Sequence, residues 1–114
     1  MANQVDYFEI GSSDPAASQA FYSGLFGWDI AEKPSEQGYR AINKMAGGLW
    51  DSSKMGNLNY AIIYINVDDV AATIKKAESL GATVALPYTS GGGIDFAHLV
   101  DPLGNRFGVW KPTN

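Results

Sequence analysis

The chain has no cysteine. A disulfide framework, a thiolate metal site and a thiol nucleophile are therefore all excluded. A basic face is missing as well: twelve acidic residues outnumber eight basic ones, and no Lys/Arg cluster exceeds Lys75-Lys76. A duplex-binding protein needs concentrated positive charge to displace counterions from phosphates, so nucleic acid is not expected as a partner. Nor is there a long apolar run. The strongest, "YAIIYI" at 60–65, is far too short to span a bilayer. The opening "MANQVDYFEI" lacks the basic and apolar regions of a signal peptide. The cytoplasm is the expected compartment, and no membrane contact is expected.

What is present suffices for one domain over residues 1–114, since a chain of this size buries roughly two-thirds of its unfolded surface. A hydrophobic share of 46% against 18% charged residues supports a real core. The pattern then repeats. "VDYFEI" alternates apolar and polar residues at the period of a half-buried strand, with Phe8 and Ile10 on one face. Asp14 and Pro15 are helix-start residues, an acceptor at the N-cap and a proline at the first position. Ala17, Phe21 and Leu25 form an apolar stripe, and Gly27 suits a left-handed helix end. The second half begins in the same way: "NYAIIYINV" as a strand, Asp69 as the cap, Val70, Ile74 and Ala77 as the stripe, and Gly81 as the stop. Lys75, Lys76 and Glu78 should face water. Three β-like pieces follow each helix: "GWDIAEK", "YRAINK" and "GGLWDS", then "ATVALP", "DFAHLVD" and "NRFGVW". The reading is an internal duplication, with modules of about 1–56 and 57–114.

Three stretches carry a resemblance: "SSDPAASQAFYSGLFGW", "INVDDVAATIKKAESLGA" and "DPLGNRFGVW". In this order they resemble the vicinal oxygen chelate superfamily, which includes glyoxalase I, the bleomycin-resistance proteins and the extradiol dioxygenases. The resemblance implies an α+β fold of two βαβββ modules forming an incomplete-barrel cup. Strand alternation then sorts side chains by face. Phe8, Ile10, Ile63, Ile65, Val67, Phe107 and Val109 suit the core. Val5, Tyr7, Glu9, Ile62, Tyr64, Asn66, Arg106, Gly108 and Trp110 suit the cup, with Trp50 near its rim.

Metal-dependent members of that superfamily take histidine or carboxylate ligands from strands of both modules. The positions corresponding to three of them hold Tyr7, Ile62 and Gly108, and the fourth falls near "GGLWD". Isoleucine and glycine side chains cannot ligate, and divalent ions need converging oxygen or imidazole donors. No cofactor is therefore expected. The alternative is a divalent metal in an unconventional site built from Glu9, His98 and Asp51.

The expected function is binding of a small organic molecule in an aromatic-lined cup, akin to the bleomycin-resistance branch. Its lining would be Tyr7, Glu9, Trp50, Ile62, Tyr64, His98, Gly108 and Trp110, because rings with polar handles suit planar ligands. For the aromatics, ordinary core packing weighs equally. The alternative is a lyase, isomerase or dioxygenase using that metal site or Glu9 as general base, since carboxylates are seldom fully buried without a use. His98, between Ala97 and Leu99, is read first as structural, with proton transfer a minor role. The glycines of "TSGGGIDF" run into a strand rather than a helix, so they make no phosphate cradle. They are expected as a flexible loop over the cup mouth, and those of "MAGGLWD" as rim-loop glycines. Asp101 and Asn105 are turn formers. The resemblance also implies a homodimer with cups near the subunit contact. A ferredoxin-like monooxygenase dimer is the distant alternative, which would not give two matched helices each followed by three strands.

Overall fold

The computed structural model describes residues 3–35, 38–44, 46–56 and 58–113. Asn57, where the second module is expected to begin, lies outside them. The elements are β1 (Gln4–Ser12), α1 (Pro15–Phe26), β2 (Tyr39–Ile42), β3 (Gly47–Asp51), a short 3-10 turn (Ser53–Met55), β4 (Tyr60–Asn66), α2 (Val70–Ser79), β5 (Thr83–Gly91), β6 (Ile94–Val100) and β7 (Arg106–Pro112). The fold class is α+β. Contacts divide the chain into two units: residues 7–61, and residues 62–114 together with the N-terminal residues up to Asp6. Among the described residues no helix is long and apolar enough to cross a membrane.

In the unit of residues 7–61, β1 pairs in parallel with β3, and β3 pairs antiparallel with β2. The other unit repeats this order: β4 pairs in parallel with β7, β7 antiparallel with β6, and β6 antiparallel with β5. In both, the opening strand lies beside the module's last strand. The repeat is thus one of topology as well as sequence. The halves differ in one piece. Of "GWDIAEK", only a single bridge, Ile30 to Ile42, is β structure. Its ladder stops after the Ala31 N–H donates to the Ala41 carbonyl, and Pro34, which has no N–H, follows soon after.

The helix signals act as read. The Asp14 carboxylate accepts from the Ala17 N–H at 3.2 Å, and Gly27 at φ 69° ends α1. The Asp69 carboxylate accepts from the Ala72 N–H at 2.9 Å, and Gly81 at φ 100° follows α2. Inside the second unit, Val67, Val70, Ala97, Leu99 and Val109 form a core that Ile65, Ile74, Ala77 and Phe107 flank. Each fully buried aliphatic there contributes about 1.5–3 kcal/mol. Inside the first, Ile10, Ile30, Ile42 and Leu49 pack with Phe8, Tyr22 and Trp28.

Several expectations need correction. The Ala17–Phe21–Leu25 stripe of α1 faces solvent, with Phe21 60% and Leu25 59% exposed, because hydrogen-bonding side chains occupy the sheet side of that helix. Ile63 is exposed too, since α2 packs over β5, β6 and β7 and the core contact of β4 stops at Ile65. The "GGG" segment is no flexible loop. Gly91 ends β5, and Gly92 and Gly93, at φ 64° and 85°, make the two-residue turn into β6, a geometry that glycine favours. Gly47 and Gly48 lie buried within β3 rather than in a rim loop.

Candidate functional site

Each expected site residue is positioned by strand alternation, and the two units present separate groups. In residues 7–61, Glu9 pairs in register with Gly48, and Gly11 with Trp50. Tyr39 sits opposite Trp50. Glycine at these points is a packing requirement. A Cβ at Gly48 would lie 1.6 Å from the Tyr39 hydroxyl oxygen, and one at Gly11 would lie 2.2 Å from the Tyr60 ring. Two phenol rings therefore lie flat across the strands, on the face that carries Glu9.

Glu9 is only 4% exposed. Its Oε2 accepts a hydrogen bond from the Tyr60 hydroxyl at 2.6 Å. The Tyr7 and Tyr39 hydroxyls are hydrogen-bonded to each other. Burial pushes the Tyr39 phenol far above its ordinary range, and the Tyr7 hydrogen bond and the negative charge of Glu9 add to the shift. Burial also raises Tyr7, opposed by the Tyr39 hydrogen bond and reinforced by Glu9. Both phenols therefore keep their protons at neutral pH. The group offers one carboxylate among O–H donors, walled by aromatic rings. It can bind a small molecule that both donates and accepts hydrogen bonds, or take a proton from one.

In the unit of residues 62–114, Tyr64 pairs in register with Gly108. A Cβ at Gly108 would lie 2.5 Å from the Tyr64 ring, so the ring lies over the glycine. The Tyr64 hydroxyl contacts His98 Nε2 at 2.7 Å, and an Arg106 guanidinium nitrogen lies 3.0 Å from His98 Nδ1. Guanidinium has no acceptor, so Nδ1 must accept, and in the neutral ring Nε2 then carries the hydrogen and donates to Tyr64. His98 is fully buried, with both ring nitrogens engaged, which fits the structural reading. Ile62 is buried on the Tyr64 side of β4. The Trp110 indole N–H donates to the Asp6 carboxylate at 2.9 Å.

The positions where the resembled family holds a metal do not fit one. Tyr7 is a protonated phenol bonded to Tyr39, Ile62 has no donor atom, and Gly108 lies beneath a tyrosine ring. Asp51 accepts from the Ser53 N–H at 2.9 Å, and its hydrogen bonds with Ser53 hold its carboxyl below the usual range. Among the described residues, no three His, Asp or Glu side chains are grouped to hold an ion.

Sequence reasoning missed two members of these groups, Tyr60 and Tyr39, and the contact between Arg106 and His98. Tyr60 was legible, since it alternates with Ile62 and Tyr64 along β4. Tyr39 and the Arg106–His98 contact become visible only with strand register. Two surface grooves of about 410 Å³ each lie elsewhere, beside α1 and beside α2.

The family model for the glyoxalase-like domain matches residues 7–110. The chain is 30% identical to the anthracycline biosynthesis protein DnrV of Streptomyces peucetius, over 92% of this chain and 46% of that protein. It thus spans just under half the length of that curated relative. Among solved structures, the hypothetical protein BH1468 of Bacillus halodurans superposes with a TM-score of 0.66 at 16% identity, covering 100% of this chain and 97% of that one. A variant of Streptomyces coelicolor methylmalonyl-CoA epimerase, in complex with 2-nitronate-propionyl-CoA, gives 0.63 at 18% identity with both chains fully covered. At those identities the likeness is one of fold.

Proposed function

The chain belongs to the glyoxalase-like domain family, within the vicinal oxygen chelate superfamily, and from that premise we propose that it binds a small organic molecule without a metal, at the Glu9 face of residues 7–61. One observation carries this reading: a carboxylate 4% exposed, held by the Tyr60 hydroxyl among phenols that keep their protons. Buried carboxylates that serve only packing are uncommon. The aromatic walls of Tyr39, Tyr60 and Trp50 favour a planar ligand, and Glu9 favours one bearing a hydroxyl or amino donor.

The name of DnrV suggests a first probe, an anthracycline, whose own fluorescence reports binding; a panel of planar phenols and quinones extends it. A bound panel member should raise the melting temperature of the native chain. Glu9→Gln and Tyr60→Phe should each weaken its binding by roughly 10-fold or more, the size expected for a hydrogen bond to a charged group. Binding that ignores both substitutions, or no binding across the panel, contradicts the reading.

A second reading, catalysis, is favoured by the same carboxylate. Glu9 would take a proton from a carbon beside a carbonyl. The C–H electron pair would form the enolate double bond, and negative charge would settle on the carbonyl oxygen, where a phenol O–H donates. Incubation of bound carbonyl ligands in deuterium oxide tests it. Exchange of deuterium into the ligand that disappears in Glu9→Gln supports catalysis, and no exchange leaves binding alone.

A further inference from the structure

The Glu9 face of residues 7–61 is ordered in rows. Tyr39, Trp50 and Gly11 stand in register across β2, β3 and β1, and the Tyr60 ring lies over Gly11. That row is therefore aromatic from end to end, over two strand spacings or about 10 Å. The next row on the same face is Ala41, Gly48 and Glu9, and it carries the oxygen atoms. The Tyr39 hydroxyl reaches it over Gly48 and bonds there to the Tyr7 hydroxyl. The Tyr60 hydroxyl reaches it at Glu9, 2.6 Å from Oε2. Both phenols thus run from an aromatic row to a polar one. Core packing does not demand this order. The core of this unit lies on the opposite face of the strands, where Ile10, Ile42 and Leu49 pack with Ile30. On the Glu9 face two glycines leave bare strand, so the rings lie flat and present whole faces, the surface on which another flat ring stacks. Tyr39, Trp50 and Tyr60 each keep part of their surface accessible.

Resting on the binding function proposed above, we infer that the ligand of this face is a linearly fused polycycle of three or more rings, with hydroxyl and carbonyl oxygens along one long edge. A single ring covers one of the three aromatic side chains, whereas a linear tricycle spans the row. Oxygens on its long edge then fall on the polar row. There a ligand hydroxyl donates to Glu9, and a ligand carbonyl accepts from the Tyr39 hydroxyl, with Tyr7 donating to Tyr39 in turn. Hydroxyls at the short ends of the same tricycle fall at the ends of the aromatic row, away from Glu9. Length is thus read by the rings, and the pattern of oxygens by the carboxylate and the phenols.

Equilibrium dialysis of the whole chain against three probes tests this, at pH 6, where the probes keep their phenol protons, with bound ligand read by absorbance. The compound 1,8-dihydroxyanthraquinone has three fused rings, with both hydroxyls and a carbonyl on one long edge. Its 2,6-isomer moves the hydroxyls to the ends, and 2,6-dihydroxybenzaldehyde keeps the hydroxyl–carbonyl–hydroxyl pattern on a single ring. The 1,8-isomer should bind at least tenfold tighter than either, the margin expected of one hydrogen bond to a charged group or of two further ring contacts. Glu9→Gln should erase its preference over the 2,6-isomer. Tyr39→Leu and Trp50→Leu, each checked for native circular dichroism, should cut its preference over the single ring severalfold. A 2,6-isomer or single-ring probe that binds as tightly as the 1,8-isomer, and still depends on Glu9, overturns the inference and leaves the binding function standing. A preference that survives Glu9→Gln unchanged also overturns it. So does a failure of all three to bind, while another planar phenol or quinone bound through Glu9 would still uphold the binding function.

Discussion

A methyl group at position 108 would sit 2.5 Å from the Tyr64 ring, so this glycine is selected by packing and not by backbone angle. Gly108→Ala should lower stability by about 1–3 kcal/mol, the usual cost of overpacking, read as a lower urea midpoint. In a Tyr64→Ala background the same change should cost much less, because the clash is gone. Equal costs in both backgrounds would show that the ring does not set the residue. The sequence made Gly108 visible as a cup-lining position and as the wrong residue for a metal ligand. The reason it is glycine lies in a cross-strand neighbour 44 residues away, which register alone reveals. Asp101 was legible by contrast, because its partners are local: the backbone N–H groups of Leu103 and Asn105 both donate to its Oδ1 at 2.9 Å.

Among elements, helix ends were readable and helix faces were not. Asp14, Pro15, Gly27 and Asp69 do what short-range chemistry dictates. The α1 stripe was found at the right spacing but assigned to the wrong side. Periodicity identifies a face without saying what lies opposite, and here Ser18, Gln19 and Ser23 hold the sheet side through hydrogen bonds. The strand face carrying Glu9 has its own signature in pH. Tyr7 and Tyr39 release their protons above the value of about 10 usual for an unfolded chain. Above that pH the unfolded chain binds fewer protons than the folded one, so stability is level below about pH 10 and falls as pH rises past it. The expected slope is up to about 1.4 kcal/mol per pH unit for each phenol. Denaturation between pH 8 and 11 should show this loss, and a Tyr7→Phe, Tyr39→Phe double variant should flatten it. An unchanged alkaline limb would mean that these phenols ionise as freely as in the unfolded chain.

At the scale of the molecule, the duplicated sequence corresponds to a duplicated strand order, opening strand beside closing strand in each unit. That much was legible because two capped helices at matched positions are a long-range pattern written in local signals. The candidate site was half legible. Alternation found Tyr7, Glu9, Tyr64 and Gly108, but the phenol pair and the His98–Arg106 contact depend on pairings that no local signal carries. Within each unit the residues at the positions corresponding to a metal's ligands are otherwise engaged: Tyr7 is bonded to Tyr39, and Gly108 lies beneath the Tyr64 ring.

Elemental analysis, on chain purified without a metal-binding tag, then soaked with Zn, Ni, Mn or Fe and desalted, tests that claim most directly. The expected content is under about a tenth of an equivalent of any of these metals, because among the described residues no three His, Asp or Glu side chains are grouped to retain an ion. Retention of one equivalent, lost on Glu9→Gln or Tyr7→Phe, would contradict it.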